Sequence, residues 1–278
     1  MKNFEEIALD IRRSIFKTVC CNRAGHLASS LSSVEILTAL YFGDILRYDP
    51  QNPEWEKRDR FIMSKGHAAL ALYYVLAKAG YYESKKVGTF CMEGTIFGGL
   101  ATYGKIPGIE MTSGSLGHGL SFAAGIAKAG KLKGDTYKVY VMLGDGELQE
   151  GEIWEAAMFI SHNRLDNLTI IIDNNEIQAT GFSKDIISLG DLSKKWRSFG
   201  FHVIETDGHN IKQLIHTLAL EADKPKVIVA KTIKGKGLSF AEGRQDWHYK
   251  MPSEIEVETG LKELGISGEE LITNEKRI

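Results

Sequence analysis

Residues 139–175 read VYVMLGDGELQEGEIWEAAMFISHNRLDNLTIIIDNN. The apolar run 139–143 predicts a strand, Gly144-Asp145-Gly146 a turn, and the stretch after it a helix; a second β-branched run, 168–172, then leads to Asp173-Asn174-Asn175. Strand, crossover helix and strand make a βαβ unit, and the crossover forces the two strands to run parallel. Both strands therefore end on one edge of the sheet, the edge where doubly wound sheets bind ligands. Asp145 and Asn175 are expected within reach of one small ion.

Both side chains offer hard oxygens. With the backbone carbonyl of Ile177 and oxygens from a diphosphate they would complete the octahedral shell that Mg2+ prefers. Gly144 and Gly146 let the backbone approach a phosphate, and the following helix points its N-terminal N–H groups at the same place. A Gly-Asp-Gly alone is as readily a tight turn, and Asn-Asn a loop. The ordered strand, helix, strand and terminal Asn are what favour the ion site.

Outward from this unit, the chain reads as one α/β domain of 278 residues, a doubly wound, mostly parallel sheet flanked by helices, with no linker strong enough to divide it. The net charge is −2 with both signs interspersed, which leaves no basic stripe for nucleic acid. No run of eighteen apolar residues exists, and MKNFEEIALDIRRSIF reads as an amphipathic helix and not a leader, so no membrane partner is expected and a cytoplasmic location is. Cys20, Cys21 and Cys91 have no metal-ligand spacing and are expected to be reduced packing residues.

Two histidines precede helical patterns. His26 follows Arg23-Ala24-Gly25, with Ser32 or Ser33 expected to cap the next helix; His67 follows the short strand RFIMS in Ser64-Lys65-Gly66-His67. A neutral imidazole at such a junction can carry a proton near pH 7. The signal weakens over residues 81–110, of which 94–110 read as a long glycine-rich loop, and Thr112 to Gly119 bring glycines and hydroxyls to the start of a small-residue helix. Asp191 or Ser193 starts a further short helix, and residues from about 251 form a charged surface segment. Lys234-Gly235-Lys236-Gly237 lacks the frame of a P-loop but can still form a flexible basic loop beside a phosphate.

These motifs resemble the transketolase family. Gly-Asp-Gly followed about thirty residues later by Asn-Asn is similar to the thiamine diphosphate signature, and AGHLASSLSSVEILTALYF, DRFIMSKGHAALALYYVLAKAGY, PGIEMTSGSLGHGLSFAAG, GDGELQEGEIWEAAMF, IIDNNEIQATG, DGHN and TIKGKGLSF fall in the family's order. The resemblance covers the N-terminal, diphosphate-binding half of a full-length transketolase. It implies the N-terminal subunit of a split enzyme that moves a two-carbon ketol unit from a ketose phosphate to an aldose.

Carried over residue by residue, the resemblance assigns Mg2+ to Asp145, Asn175 and the Ile177 carbonyl, and thiamine diphosphate to Gly144, Gly146, Gly114 and Leu116. Glu150 would join a carboxylate network across the dimer. His26, His67 and His248 would surround the reacting carbon and the diphosphate, serving in proton transfer and hydrogen bonding. The family's pyrimidine-activating glutamate belongs to the following domain, so a partner subunit carrying that pyrimidine-binding domain is implied, most simply as α2β2.

Four positions depart from the family pattern. No histidine lies between Gly98 and Pro107, where family members contact the first hydroxyl of the donor; Leu27-Ala28 replaces Pro-Gly, His118 replaces glutamine and Ala179 replaces isoleucine. The first departure opens an alternative, a donor altered to a modified sugar or a pyruvate-like 2-oxo acid. Other classes fit less well. A 2-oxo acid dehydrogenase α-subunit is disfavoured by SKGHA and GSLGHG, a non-catalytic module by the intact Asp145, Asn175 and His67, and a dinucleotide-binding protein by the lack of an early GxGxxG.

Overall fold

The computed structural model describes residues 3–267. Five strands, β1 (Arg60–Met63), β2 (Val139–Gly144), β3 (Leu168–Asn174), β4 (His202–Asp207) and β5 (Lys226–Lys231), form one sheet in the order β1-β2-β3-β5-β4. Every pairing is parallel. The doubly wound α/β expectation is met. Near-continuous burial of β2, β3 and β5 explains why these strands read as apolar runs without alternation.

Side chains along each strand alternate between two cores. Phe61, Tyr140, Met142, Ile171 and Ile228 face one; Ile62, Val141, Leu143, Ile170 and Val229 face the other. The first core is covered by α1 (Phe4–Asn22), α2 (Leu27–Leu31), α3 (Val34–Phe42) and α4 (Ala69–Lys78). A short α5 (Ser84–Val87) precedes the long loop, and α6 (His118–Lys133) and α7 (Gly151–His162) cover the second core. They are followed by α8 (Ser183–Ile186), α9 (Leu192–Ser198) on the second core, α10 (Ile211–Ala219) on the first, and α11 (Glu254–Glu263).

Helix starts follow local chemistry in several places. The Asn3 and Asp191 side chains accept the N–H groups of Glu6 and Lys194, so Asp191, not Ser193, begins α9. Ser33 stands at the N-cap of α3, as one of the two expected serines, but its side chain makes no cap hydrogen bond, and neither does that of Ser32. The Ser33 hydroxyl donates back to the Ser29 carbonyl and that of Ser32 to Asp173, because these serines lie inside the first core and must find buried acceptors.

Two further expectations change. The charged C-terminal segment contains α11, opened by a Ser253–Glu256 capping box, and its end is buried: Leu264 and Ile266 join the first core, and Gly260 lies against the Phe16 ring. Residues 268–278 of that segment lie outside the described residues. All three cysteines are free, but Cys91 is exposed and does not pack; burial pushes the Cys20 thiol up to about 12. Among the described residues no helix is long and apolar enough to cross a membrane.

Candidate functional site at the carboxyl edge of the sheet

The register of β2 on β3 pairs Gly144 with Asp173, so Asp145 and Asn175 each follow the last paired residues of neighbouring strands. The Asp145 N–H donates to the Asp173 carbonyl at 3.3 Å. One Asp145 oxygen accepts the Ser183 hydroxyl at 2.8 Å, and the buried carboxyl is raised to about 6, by desolvation first and by Asp173 in addition. Asn175 donates its amide nitrogen to Asp173 at 3.3 Å and accepts the Ile177 N–H through Oδ1 at 3.1 Å, which assigns the amide orientation.

Three histidines from distant segments meet beside this edge. His26 stands at the N-cap of α2, His67 in the 3-10 turn Gly66–Ala68, and His248 just after the 3-10 turn Gln245–Trp247, whose Trp247 is fully buried. Their ring centroids lie 5.8 Å (His26 to His67), 5.2 Å (His26 to His248) and 5.6 Å (His67 to His248) apart. Tyr249 covers the outer side of His26 at 4.8 Å.

Burial, followed by the nearby positive charges, lowers the pKa of all three rings. His26 falls below its usual value through desolvation and then Lys234 and Lys65; His67 falls well below it through desolvation and then Lys65; His248 falls to about 4 through desolvation and then Lys234. At neutral pH the triangle is three uncharged imidazoles, each able to donate and accept.

Two buried lysines supply that charge; the linear pattern marks Lys234 only as part of a basic loop and gives no sign that either side chain is buried. Lys65 is ion-paired with Asp173 and also donates to the Ser29 carbonyl at 3.2 Å; both partners are essentially inaccessible. Lys234 donates to the carbonyls of Ile177 at 3.1 Å and Gln178 at 3.3 Å and to Nδ1 of His248 at 3.0 Å. Because an ammonium can only donate, Nδ1 of His248 is bare and its proton sits on Nε2.

Glu147 is a third residue that sequence reasoning passes over. One of its oxygens accepts the Ser64 hydroxyl and the Gly117 N–H, the latter at 2.9 Å, and the other accepts the Gly144 N–H at 3.0 Å. It thereby ties the ends of β1 and β2 to the turn before α6. Gly117 has φ +93°, which favours glycine, and a Cβ on Gly119 would lie 2.3 Å from Ser64. Those contacts explain Gly117 and Gly119 without a ligand, while Gly114 is exposed and Leu116 half-buried beside them. Glu150 is exposed, without a side-chain cap bond at the start of α7, and His118 is exposed with Glu152 3.2 Å away.

The sequence matches the family described as transketolase, thiamine diphosphate binding domain, over residues 5–275. The chain belongs to the transketolase family. It is 44% identical over 263 residues to one of the subunits of apulose-4-phosphate transketolase from Actinobacillus succinogenes, covering 94% of this chain and 95% of that one. It is 42% identical over 247 residues to a 6-deoxy-6-sulfo-D-fructose transketolase subunit of Clostridium sp. (strain MSTE9), covering 88% and 90%. Human transketolase is 35% identical over 251 residues, which are 90% of this chain and 40% of the human one.

Among solved structures, transketolase from Campylobacter jejuni superposes with a TM-score of 0.89 at 28% identity, over 96% of this chain and 44% of that chain. The chain thus spans nearly the whole of its subunit relatives and under half of the full-length transketolases.

The donor chemistry fits a transketolase-type cofactor site. Asp145, Asn175 and the Ile177 carbonyl are hard oxygens gathered past two adjacent strand ends, each with acceptor capacity left. Among the described residues no group of three or more His, Cys, Asp or Glu side chains could hold a metal by itself, so a cation here would complete its shell with amide, backbone, water or ligand oxygens. Two buried polar atoms nearby have no partner, Ser113 Oγ, which lies against Gly66, and Nε2 of Gln178, whose side chain packs on Gly146; both could serve as donors to a bound anion. A cavity of about 440 Å³ on the same edge shares Asp145 but is lined otherwise by Glu176 and by residues from β3, β4, β5 and the 182–193 segment, with no histidine among them.

Proposed function

We propose that this chain is the diphosphate-binding subunit of a two-chain transketolase, moving a two-carbon ketol unit from a ketose phosphate to an aldose acceptor. The observation that carries the reading is the triangle of three histidine rings beside the strand edge that Asp145 and Asn175 follow. Those three oxygens would hold Mg2+, and Gly114, Leu116, Gly144 and Gly146 would receive thiamine diphosphate. When bound, that cofactor supplies the electron sink that stabilises a carbanion at the donor carbonyl carbon. His26, His67 and Nε2–H of His248 then hydrogen-bond substrate oxygens or pass protons. Uncharged rings suit both tasks at neutral pH.

The partner is proposed to be the C-terminal transketolase subunit, with the two chains joined as α2β2 in the cytoplasm, a setting that suits free cysteines. Relatives of matching length, themselves named as subunits of a transketolase, support a second chain. Large apolar side chains also stay exposed on the helices that follow the two cofactor loops: Phe122 (43%) on α6 and Met158 (57%) and Phe159 (45%) on α7. Phe159→Glu is expected to weaken association with the partner by about 100-fold and leave the melting temperature of the chain unchanged, as read by sedimentation and calorimetry. Unaltered assembly would place the interface elsewhere.

The deciding experiment mixes this chain with a C-terminal transketolase chain, then supplies xylulose 5-phosphate and an aldose phosphate. Turnover is expected only in the mixture; turnover by this chain alone would refute the two-chain reading.

An altered donor is the second reading, and one residue favours it. Leu100, in the stretch without histidine, lies with its methyls 3.0 Å from where a Cβ on Gly66 or Gly114 would sit, so an apolar group borders the site beside His67. Relatives named for apulose 4-phosphate and 6-deoxy-6-sulfo-D-fructose support a modified sugar over a pyruvate-like donor. Running xylulose 5-phosphate, a modified ketose phosphate and pyruvate side by side separates these, and efficient use of the first would remove the motive for the alternative.

A further inference from the structure

Arg12, Glu35 and His209 form a polar chain outside the site, joining α1, α3 and the turn after β4, with Arg12 and Glu35 buried and His209 partly so. Glu35 accepts Arg12 through one oxygen and faces Nδ1 of His209 at 2.9 Å with the other. Burying an ion pair costs free energy, and such an arrangement is more readily explained by what it orders than by net stability. What it orders is the loop after β5. Nε2 of His209 accepts the Ile233 N–H at 2.8 Å, and Arg12 donates to the Lys236 carbonyl while also holding the Leu31 carbonyl at 3.1 Å. The two contacts bracket Lys234. The Gly235 N–H donates to the Ala28 carbonyl at 2.9 Å, which fixes the same loop against α2, directly after His26.

We propose that His209 is a positioning residue, clamped by Glu35 and acting through the Ile233 backbone to hold Lys234 against Nδ1 of His248. A backbone N–H only donates, so Nε2 of His209 is bare and its proton lies on Nδ1, donated to Glu35. With Lys234 so held, the proton of His248 is kept on Nε2. A shift of the loop releases Lys234 and lets that proton move to Nδ1. The inference rests on the functional reading only in taking His248 as part of the site.

Glutamine and asparagine separate the two ring nitrogens of His209. Glutamine reaches the Nε2 position and offers an amide oxygen to Ile233; asparagine reaches only the Nδ1 position, meeting Glu35 but leaving Ile233 without an acceptor. In the complex with the partner subunit, H209N is expected to lower kcat by about tenfold with KM within about threefold, whereas H209Q keeps both within about threefold. Nitrogen-15 NMR of the histidine rings in the full chain gives a second readout, with His248 assigned through His248→Gln. Wild type and H209Q should show His248 protonated on Nε2, and H209N a mixture of tautomers. Equal losses in both variants, or an unchanged His248 ring in H209N, would overturn the proposal. If the wild-type complex turns over no ketose phosphate, that counts against the functional reading instead, and the ring spectra alone decide the role of His209.

Discussion

Replacing Asp145 by asparagine is expected to abolish Mg2+-dependent binding of thiamine diphosphate and, at the same time, to raise the stability of the ligand-free chain at neutral pH. Burial beside Asp173 lifts the carboxyl from 3.8 to about 6, so the ionised form is disfavoured in the fold. A group raised in this way contributes stability that is fully present below its unfolded pKa and lost as pH climbs through its folded one. The wild-type chain should therefore weaken between about pH 4 and pH 6, and asparagine, which cannot ionise, should recover on the order of 2 kcal/mol at pH 7.

Loading the site reverses the balance. A divalent cation needs the carboxylate, so affinity should fall as pH drops through about 6, where proton and metal compete. In D145N the loss of a charged ligand should reduce metal-dependent affinity by about 100-fold or more above about pH 6, and the gap should narrow as the wild-type carboxyl protonates. Calorimetric titration with thiamine diphosphate and Mg2+, alongside urea unfolding without them, measures both halves. Undiminished binding by D145N would remove the ion site from this edge.

Lys65→Met should cost about 3–5 kcal/mol in urea unfolding, a large share of the roughly 5–15 kcal/mol that holds a domain together. Lys65 and Asp173 are 1% and 0% exposed, and the ammonium, with Ser32 and Thr232, brings the Asp173 carboxyl down to about 2 despite the opposing cost of burial. Lowered from 3.8, that carboxyl contributes stability above its unfolded pKa and loses it as pH falls toward about 2. Methionine fills much of the lysine's volume but leaves a buried carboxylate without its countercharge. The double variant K65M/D173N should recover most of the loss, because it removes the charge and keeps the shape. If K65M alone costs less than about 1 kcal/mol, the pair does not carry the strand edge as described.

The family, the parallel sheet and the candidate oxygens were legible in the chain. The sheet announced itself because β2, β3 and β5 are buried on both faces and so carry uninterrupted apolar runs. Asp145 and Asn175 could be paired on paper because a βαβ crossover fixes strand direction, and with it which ends share an edge.

Lys65, Glu147, Lys234 and His209 were not legible. A lysine in SKGH or KGKG looks like any surface cation, and its burial depends on an acceptor 108 residues away at Asp173 or 57 residues away at Ile177. Glu147 looked like one more acid in GELQEGE, whereas Glu150 was favoured by resemblance and is exposed.

What the sequence determined by itself is which chemistry the chain can carry, since strand direction and the end of a strand follow from local pattern. The tertiary structure decided which charges lie inside. Only packing brings His26, His67 and His248 within 6 Å of one another and removes the water that would otherwise keep Lys234 and Asp145 near their ordinary pKa values. Desolvation depends on neighbours from every part of the fold, and no window of residues records it.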